Sequence, residues 1–241
     1  MLCFLPLPGR SLTQRRSQPA RGFIALSNLE SLWRWHYREN FLEAPKPSSA
    51  VLRLFIAITV PGAIRAELAR AQSELREAVG DARITWTKPE QFHLTLKFLG
   101  KVDVSSLEAL GDALKEACQG FGPLSMRAEG VGCFPDFRRP RVLWVGLQDA
   151  GQRLVGLQGA IRDATQKFTA EAGEKSFSGH VTLGRIKAIS AHQREILSRE
   201  LARASAVVWG EWMATSVELI RSELSEQGAQ YTRLLEVALK G

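Results

Sequence analysis

Apolar positions along most of the chain follow two periods, and each change of period marks an element. Arg53-Leu-Phe-Ile-Ala-Ile-Thr59 is a strand-like apolar run that Pro61-Gly62 closes. Ala63 to Val79 then places Ile64, Leu68, Ala71, Leu75 and Val79 three or four residues apart, the stripe of an amphipathic helix. After a break at Gly80-Asp81 comes a strand centred on Phe92-His-Leu-Thr-Leu-Lys-Phe-Leu99. A helix over about Ser105 to Cys118 and strand-like material from Leu124 to Phe134 follow.

The second half repeats this order. Arg141-Val-Leu-Trp-Val-Gly-Leu147 reads as a strand, and Gly151 to Phe168 as a helix with Leu154, Leu157 and Ile161 on one face. His180-Val-Thr-Leu-Gly-Arg-Ile186 is next, then a helix near Ala191 to Ala204 and a strand at Thr215 to Ile220. A last strand, Tyr231 to Leu239, pairs with Val217 to Leu224 across a turn at Glu226-Gln-Gly228. Matching element order with a matching His-x-Thr in each half argues for internal duplication. The expected fold is α+β, with two pseudo-symmetric lobes. Mixed or antiparallel sheets line a central cleft, and helices cover the outer faces.

Residues 1–50 do not share this patterning. They hold five of the ten prolines and neither strand alternation nor a long helical stripe. They read as a disordered arm or as upstream sequence foreign to the native chain. An organellar targeting peptide is the competing reading, because residues 1–29 carry four Arg and no acid. The folded domain is expected over 51–241. The arm also changes the meaning of the net charge of +7, since seven Lys/Arg against three acids fall within it. The remainder is only mildly basic, compatible with a phosphate-bearing ligand but weak support for one.

The candidate chemistry lies in the two His-x-Thr segments. Side chains on a strand alternate between faces, so His93, Thr95 and Lys97 share one face and Leu94, Leu96 and Phe98 the other. His180 and Thr182 likewise oppose Val181 and Leu183. A single strand histidine is commonly structural; two, each beside a threonine at equivalent places in a duplicated unit, are not. Imidazoles titrate near pH 6.5, so one can serve as general base and the other as general acid without a metal. Two threonine hydroxyls can donate to phosphoryl oxygens as charge builds there. The set suits in-line displacement at phosphorus, above all opening of a strained 2′,3′-cyclic phosphate.

Four segments carry a family resemblance: Arg53 to Ile58, Trp86 to Gly100, Pro140 to Gly146 and Ser178 to Arg185. With the closing stretch from Val217 to Tyr231, they resemble the RNA 2′,3′-cyclic phosphodiesterases. These were formerly called 2′–5′ RNA ligases and belong to the two-histidine phosphoesterases. The likeness covers about residues 52–239. It implies that His93 donates a proton, that His180 accepts one, and that the product is a 2′-phosphomonoester. It also places a cation near the nucleotide at Arg185, although strict alternation from His180 faces that residue away. Gly179 departs from the family, which often has Pro there, and a looser approach to His180 is expected.

Other candidates have an ordinary reading beside the functional one. Lys97 is a site lysine or a solvated strand-end lysine. Arg138, Arg139 and Arg141 track an RNA backbone or simply line a solvated loop. Phe55 offers a stacking face or belongs to the core. His192 reads as surface, and His36 lies in the arm. Cys3, Cys118 and Cys133 show no zinc spacing and suggest a reducing cytoplasm without disulfides. Neither metal nor cofactor is expected, nor a membrane span. The expected ligand is RNA or a nucleotide with a 2′,3′-cyclic phosphate, and the protein is expected to be a cytoplasmic monomer. Two alternatives stay open: 2′–5′ RNA ligation by the same site, and a non-catalytic RNA- or nucleotide-binding module.

Overall fold

A computed structural model describes residues 50–171, 176–225 and 228–241. Apart from Ala50, the arm read in residues 1–50 lies outside the described residues, as do Cys3, His36 and the tip of the turn at 226–227. The elements are β1 (Val51–Thr59), α1 (Gly62–Val79), β2 (Arg83–Trp86), β3 (His93–Asp103), α2 (Leu107–Cys118), β4 (Leu124–Phe134) and β5 (Val142–Asp149). They continue with α3 (Leu154–Thr165), β6 (His180–Ala188), α4 (Ala191–Arg203), β7 (Val208–Ala214), β8 (Ser216–Ser225) and β9 (Gly228–Ala238).

The strands lie in the order β7-β4-β5-β6-β3-β1-β8-β9, with β2 on β6, and the pairings among the described strands are antiparallel. Only Leu94↔Val181 joins β3 to β6, so the array is two sheets meeting at a narrow seam. One lobe holds β3, β1, β8 and β9; the other holds β2, β6, β5, β4 and β7. The expected two-lobed α+β architecture is present, and its sheets are antiparallel rather than mixed.

The halves of the chain do not each make one lobe. β1 of the first half pairs β8 of the second, and β5 of the second pairs β4 of the first. The helices cross over as well. α1 packs beside α4 on the β6-β5-β4-β7 lobe, and α3 packs beside α2 on the other. Apolar faces of sheets and helices close a core that includes Leu54, Ile56, Leu68, Leu94, Leu110, Leu143, Leu157 and Val181. The duplication is therefore interleaved.

Two strands were not foreseen. β2 has four residues, too few for a period to register. β7 is interrupted by Gly210, whose φ of 138° breaks the alternation that Trp209 and Met213 would otherwise show. Cys118 and Cys133 are free and buried, and burial pushes each thiol up to about 11, which makes both inert near neutrality.

Candidate active site

His93 and His180 begin β3 and β6, the two strands at the seam. In the antiparallel register set by Leu94↔Val181, His93 falls beside Thr182, and His180 beside Thr95. Each imidazole thus neighbours the threonine of the other half. Leu94 and Val181 turn into the core at 1% and 0% exposure, which leaves the histidines and threonines on the opposite, cleft face.

Both rings are held the same way. His93 Nδ1 lies 2.6 Å from the carbonyl of Gln91, and His180 Nδ1 lies 2.7 Å from that of Ser178. A carbonyl can only accept, so Nδ1 carries the hydrogen in each ring and Nε2 is left for chemistry. Gln91 is itself anchored, its side-chain amide donating to the carbonyl of Ala229 on β9.

The surroundings of the two rings differ. Phe55 lies 4.8 Å from His93 between ring centroids, and Tyr231 stands edge-on at 5.5 Å. Burial in this apolar setting lowers the His93 pKa below its ordinary 6.5. The Gln91 carbonyl opposes that shift, His180 and Arg185 add to it by repulsion, and Glu218 opposes it weakly. His180 has Phe134 edge-on at 5.1 Å, and Phe134 is backed by Trp144 at 5.1 Å.

Strict alternation fails just after the threonine in each strand. Ile56 pairs Lys97 and Ala57 pairs Thr95, so Leu96 has no partner on β1. Leu143 pairs Gly184 and Trp144 pairs Thr182, so Leu183 has none on β5. Each is a one-residue bulge immediately after the threonine, and it reverses the alternation beyond it. Leu96 and Lys97 both face inward, as do Leu183 and Gly184. Phe98 and Arg185 then emerge on the cleft face, 49% exposed in the first case and likewise exposed in the second.

This corrects the expectation for Lys97 and decides the open one for Arg185. Lys97 does not share the histidine face; it is 5% exposed, and its ammonium donates to Gln166 Oε1 at 3.0 Å. Arg185 does reach the cleft, close enough for its charge to act on both His93 and Tyr231. Each bulge is tied to a helix by a buried glutamine. Gln158 of α3 donates to the carbonyl of Leu96 at 3.2 Å, and Gln72 of α1 to that of Leu183 at 2.7 Å. Both glutamines sit in otherwise apolar helix stripes, a signal available in the sequence that went unread.

The remaining candidates resolve as follows. Phe55 is 3% exposed and forms a small cluster with Ala57 and Ile220 on the cleft side of the sheet, so it walls His93 and presents no open face to a base. A Cβ at Gly179 would lie 2.7 Å from the carbonyl of Leu147, and the Gly179 carbonyl accepts from Leu147 N–H. Glycine there lets the approach to His180 lie tightly on β5, contrary to the looseness expected. His192 is exposed on α4.

Three further groups on the cleft face were missed. Glu218, 9% exposed, accepts from Thr59 Oγ1 at 2.7 Å and from Arg233 at 3.1 Å. Trp144 lies across Gly132, where a Cβ would come within 2.3 Å of the indole. Tyr231 edges both Phe55 and His93, and burial raises the pKa of its phenol against the opposing charges of Arg185 and Arg53.

No group of three or more His, Cys, Asp or Glu suited to holding a metal occurs among the described residues. Two tethered imidazoles, each beside a hydroxyl across the seam of two lobes, with one guanidinium, define a two-histidine phosphoesterase. The sequence model of the LigT-like phosphoesterases matches residues 58–144, a span that includes His93. An RNA 2′,3′-cyclic phosphodiesterase of Aquifex aeolicus is 31% identical over 195 residues, covering 79% of this chain and 99% of that relative. One from Thermus thermophilus is 32% identical over 200 residues, covering 79% and 91%. A crystal structure of a Thermus thermophilus protein superposes with a TM-score of 0.64 at 30% identity, covering 79% of this chain and 99% of that one. Escherichia coli LigT complexed with 3′-AMP shares the fold at 23% identity, with a TM-score of 0.63 over 80% of this chain and all of that one. The chain belongs to the RNA 2′,3′-cyclic phosphodiesterase family of LigT-like phosphoesterases.

Proposed function

We propose that this protein hydrolyses 2′,3′-cyclic phosphodiesters, at RNA ends or on nucleotides, to 2′-phosphomonoesters by acid–base catalysis between His93 and His180. The carrying observation is that both rings are pinned through Nδ1 to a carbonyl two residues earlier, leaving both Nε2 atoms on one cleft. His180 Nε2 takes the proton of a water as its oxygen bonds to phosphorus. The bond from phosphorus to the ribose 3′ oxygen breaks in line, and His93 Nε2–H supplies that oxygen's proton. Thr95, Thr182 and Arg185 hold the non-bridging oxygens as negative charge gathers on them.

His93 is held below its ordinary pKa in the free protein, mainly by burial and further by the positive charge of His180 and Arg185. A bound phosphodiester brings a negative charge between these groups, offsets the repulsion and favours the imidazolium. The donor role is thus coupled to substrate binding.

The test is incubation with 2′,3′-cyclic AMP and with RNA ending in a cyclic phosphate, in excess chelator. A 2′-phosphomonoester is expected. A 3′-phosphomonoester would mean that the two histidines exchange roles, and no turnover of either compound would overturn the assignment. The same site could run the reverse joining reaction on an RNA 5′-hydroxyl, but water greatly outnumbers that competitor.

A further inference from the structure

We propose that the RNA strand leading to the cyclic phosphate leaves the cleft over the β6-β4 end of the second lobe and stacks a base on Phe137. The inference rests on the functional reading above and adds the polymer to it. The loop joining β4 to β5 starts beside the catalytic cleft, because Phe134, the last residue of β4, lies 5.1 Å from the His180 ring between centroids. Phe137 is three residues further on, at most about 11 Å of chain, and is 52% exposed. It lines a depression with Arg138 of the loop and Ala191, Arg194, Glu195 and Ser198 of α4.

The loop is built to present these groups. Asp136 Oδ1 accepts the backbone N–H of Arg138 at 2.8 Å and of Arg139 at 3.0 Å, which fixes the turn and occupies that oxygen. Arg194 donates to the carbonyl of Arg138 at 3.3 Å and ties the loop to α4. The backbone returns next to Arg185, since Val142 pairs it directly. Arg185 in the cleft, Lys187 two residues beyond it, and Arg138, Arg139 and Arg194 therefore gather at one end of one lobe.

None of these five cations makes an ion pair among the described residues, whereas Arg127, Arg221 and Arg233 elsewhere on the sheets do. Glu195 is the one carboxylate lining the depression. An exposed aromatic ring among unpaired guanidiniums is the combination that holds single-stranded nucleic acid, by stacking on a base and neutralising phosphates. The opposite lobe offers no match at the equivalent place, where Phe98 replaces Arg185.

The experiment compares a single-stranded hexaribonucleotide ending in a 2′,3′-cyclic phosphate with 2′,3′-cyclic AMP on the full chain. Phe137→Ala should raise KM for the hexanucleotide about tenfold, within the range for loss of one stacked base, and leave KM for cyclic AMP within about twofold. Phe137→Trp should restore the hexanucleotide value. The double variant Arg138→Gln, Arg139→Gln should flatten the salt dependence of hexanucleotide binding, by about 0.7 in logarithmic slope for each lost phosphate contact. An unchanged hexanucleotide KM in Phe137→Ala together with an unchanged salt slope in the double variant would overturn the proposal. If the parent protein hydrolyses neither compound, the functional reading fails instead. Fluorescence anisotropy of a labelled hexanucleotide then decides the track by itself, with weaker binding in Phe137→Ala supporting it and equal binding refuting it.

Discussion

Phe98 and Arg185 occupy the same place in the two halves of the molecule, each five residues after its histidine and each brought onto the cleft face by a bulge behind the threonine. The fold is nearly symmetric around the cleft, but its charge is not. At this position a bound phosphate would meet a guanidinium from one half and an aromatic ring from the other.

Arg185→Ala should lower kcat/KM roughly 10- to 100-fold, the scale of one hydrogen bond from a charged donor. Phe98→Ala should change it little. Arg185→Lys should recover part of the loss, because it keeps the charge without the fork geometry. Steady-state rates on 2′,3′-cyclic AMP decide the matter, and equal losses in the Phe98 and Arg185 variants would remove the asymmetry argued here.

Replacing either histidine with alanine should cost roughly 10²–10⁴-fold in kcat. The double replacement should cost far less than the product of the two, since paired proton transfers fail together. Circular dichroism should show all three variants folded. Parent-like turnover by folded His180→Ala would exclude the mechanism.

The lowered pKa of His93 bears on rate profiles. As donor, His93 must be protonated, so the alkaline limb of kcat/KM, which reports the free enzyme, should fall below the ordinary histidine range. The limb of kcat should lie at higher pH, because the bound phosphodiester favours the imidazolium. Both limbs belong to the coupled pair rather than to one residue. Coincident limbs would show that substrate does not reprotonate His93.

Stability should respond to the same group with a definite sign. Above about pH 6.5 His93 is neutral in both folded and unfolded chains. As pH falls through 6.5 the unfolded chain takes up its proton first, because the folded pKa is lower, so stability contributed by this residue declines with acidification. Urea unfolding at stepped pH should therefore show a shallower loss below 6.5 in His93→Asn than in the parent. A steeper loss would contradict the burial described for the ring.

Gln72 and Gln158 should matter despite touching neither imidazole. Replacement by leucine takes a donor from the buried carbonyl of Leu96 or of Leu183, and in the case of Gln72 from that of Thr87 as well, at a cost of about 1–3 kcal/mol for each. Gln72→Leu should also reduce kcat/KM, because the bulge at Leu183 is what aims Arg185 into the cleft; Gln158→Leu, whose bulge aims Phe98, should lose stability with little change in rate. Chemical denaturation with parallel kinetics separates the two effects, and equal rate losses would refute the assigned role of Gln72.

Much of this was legible from residue order alone. The long periodic elements, the duplication, the two lobes and the His-x-Thr pairs follow from periods of two and of three to four residues. What period cannot convey is a change of phase. The single extra residues Leu96 and Leu183 reversed the faces predicted for Lys97 and left Arg185 undecided. A bulge is set by pairing with a neighbouring strand, which local alternation does not encode. Crossing of the helices between lobes was hidden for the same reason. Gln72 and Gln158 were visible in their apolar stripes, but their meaning depended on carbonyls far away in the chain.

The crossed connections have a consequence for how such a molecule could have arisen. A half-chain of residues 51–134 would contain β1 without β8, and β4 without either β5 or β7, leaving edges open in both. Two identical half-chains could close both edges only by lending each other a strand and a helix, as a reciprocally swapped homodimer whose two histidines came from different molecules. Gene fusion would then have joined two subunits that already shared one catalytic centre. In such a fused chain one copy could carry an aromatic where the other carries an arginine, and a site of symmetric plan would have a direction.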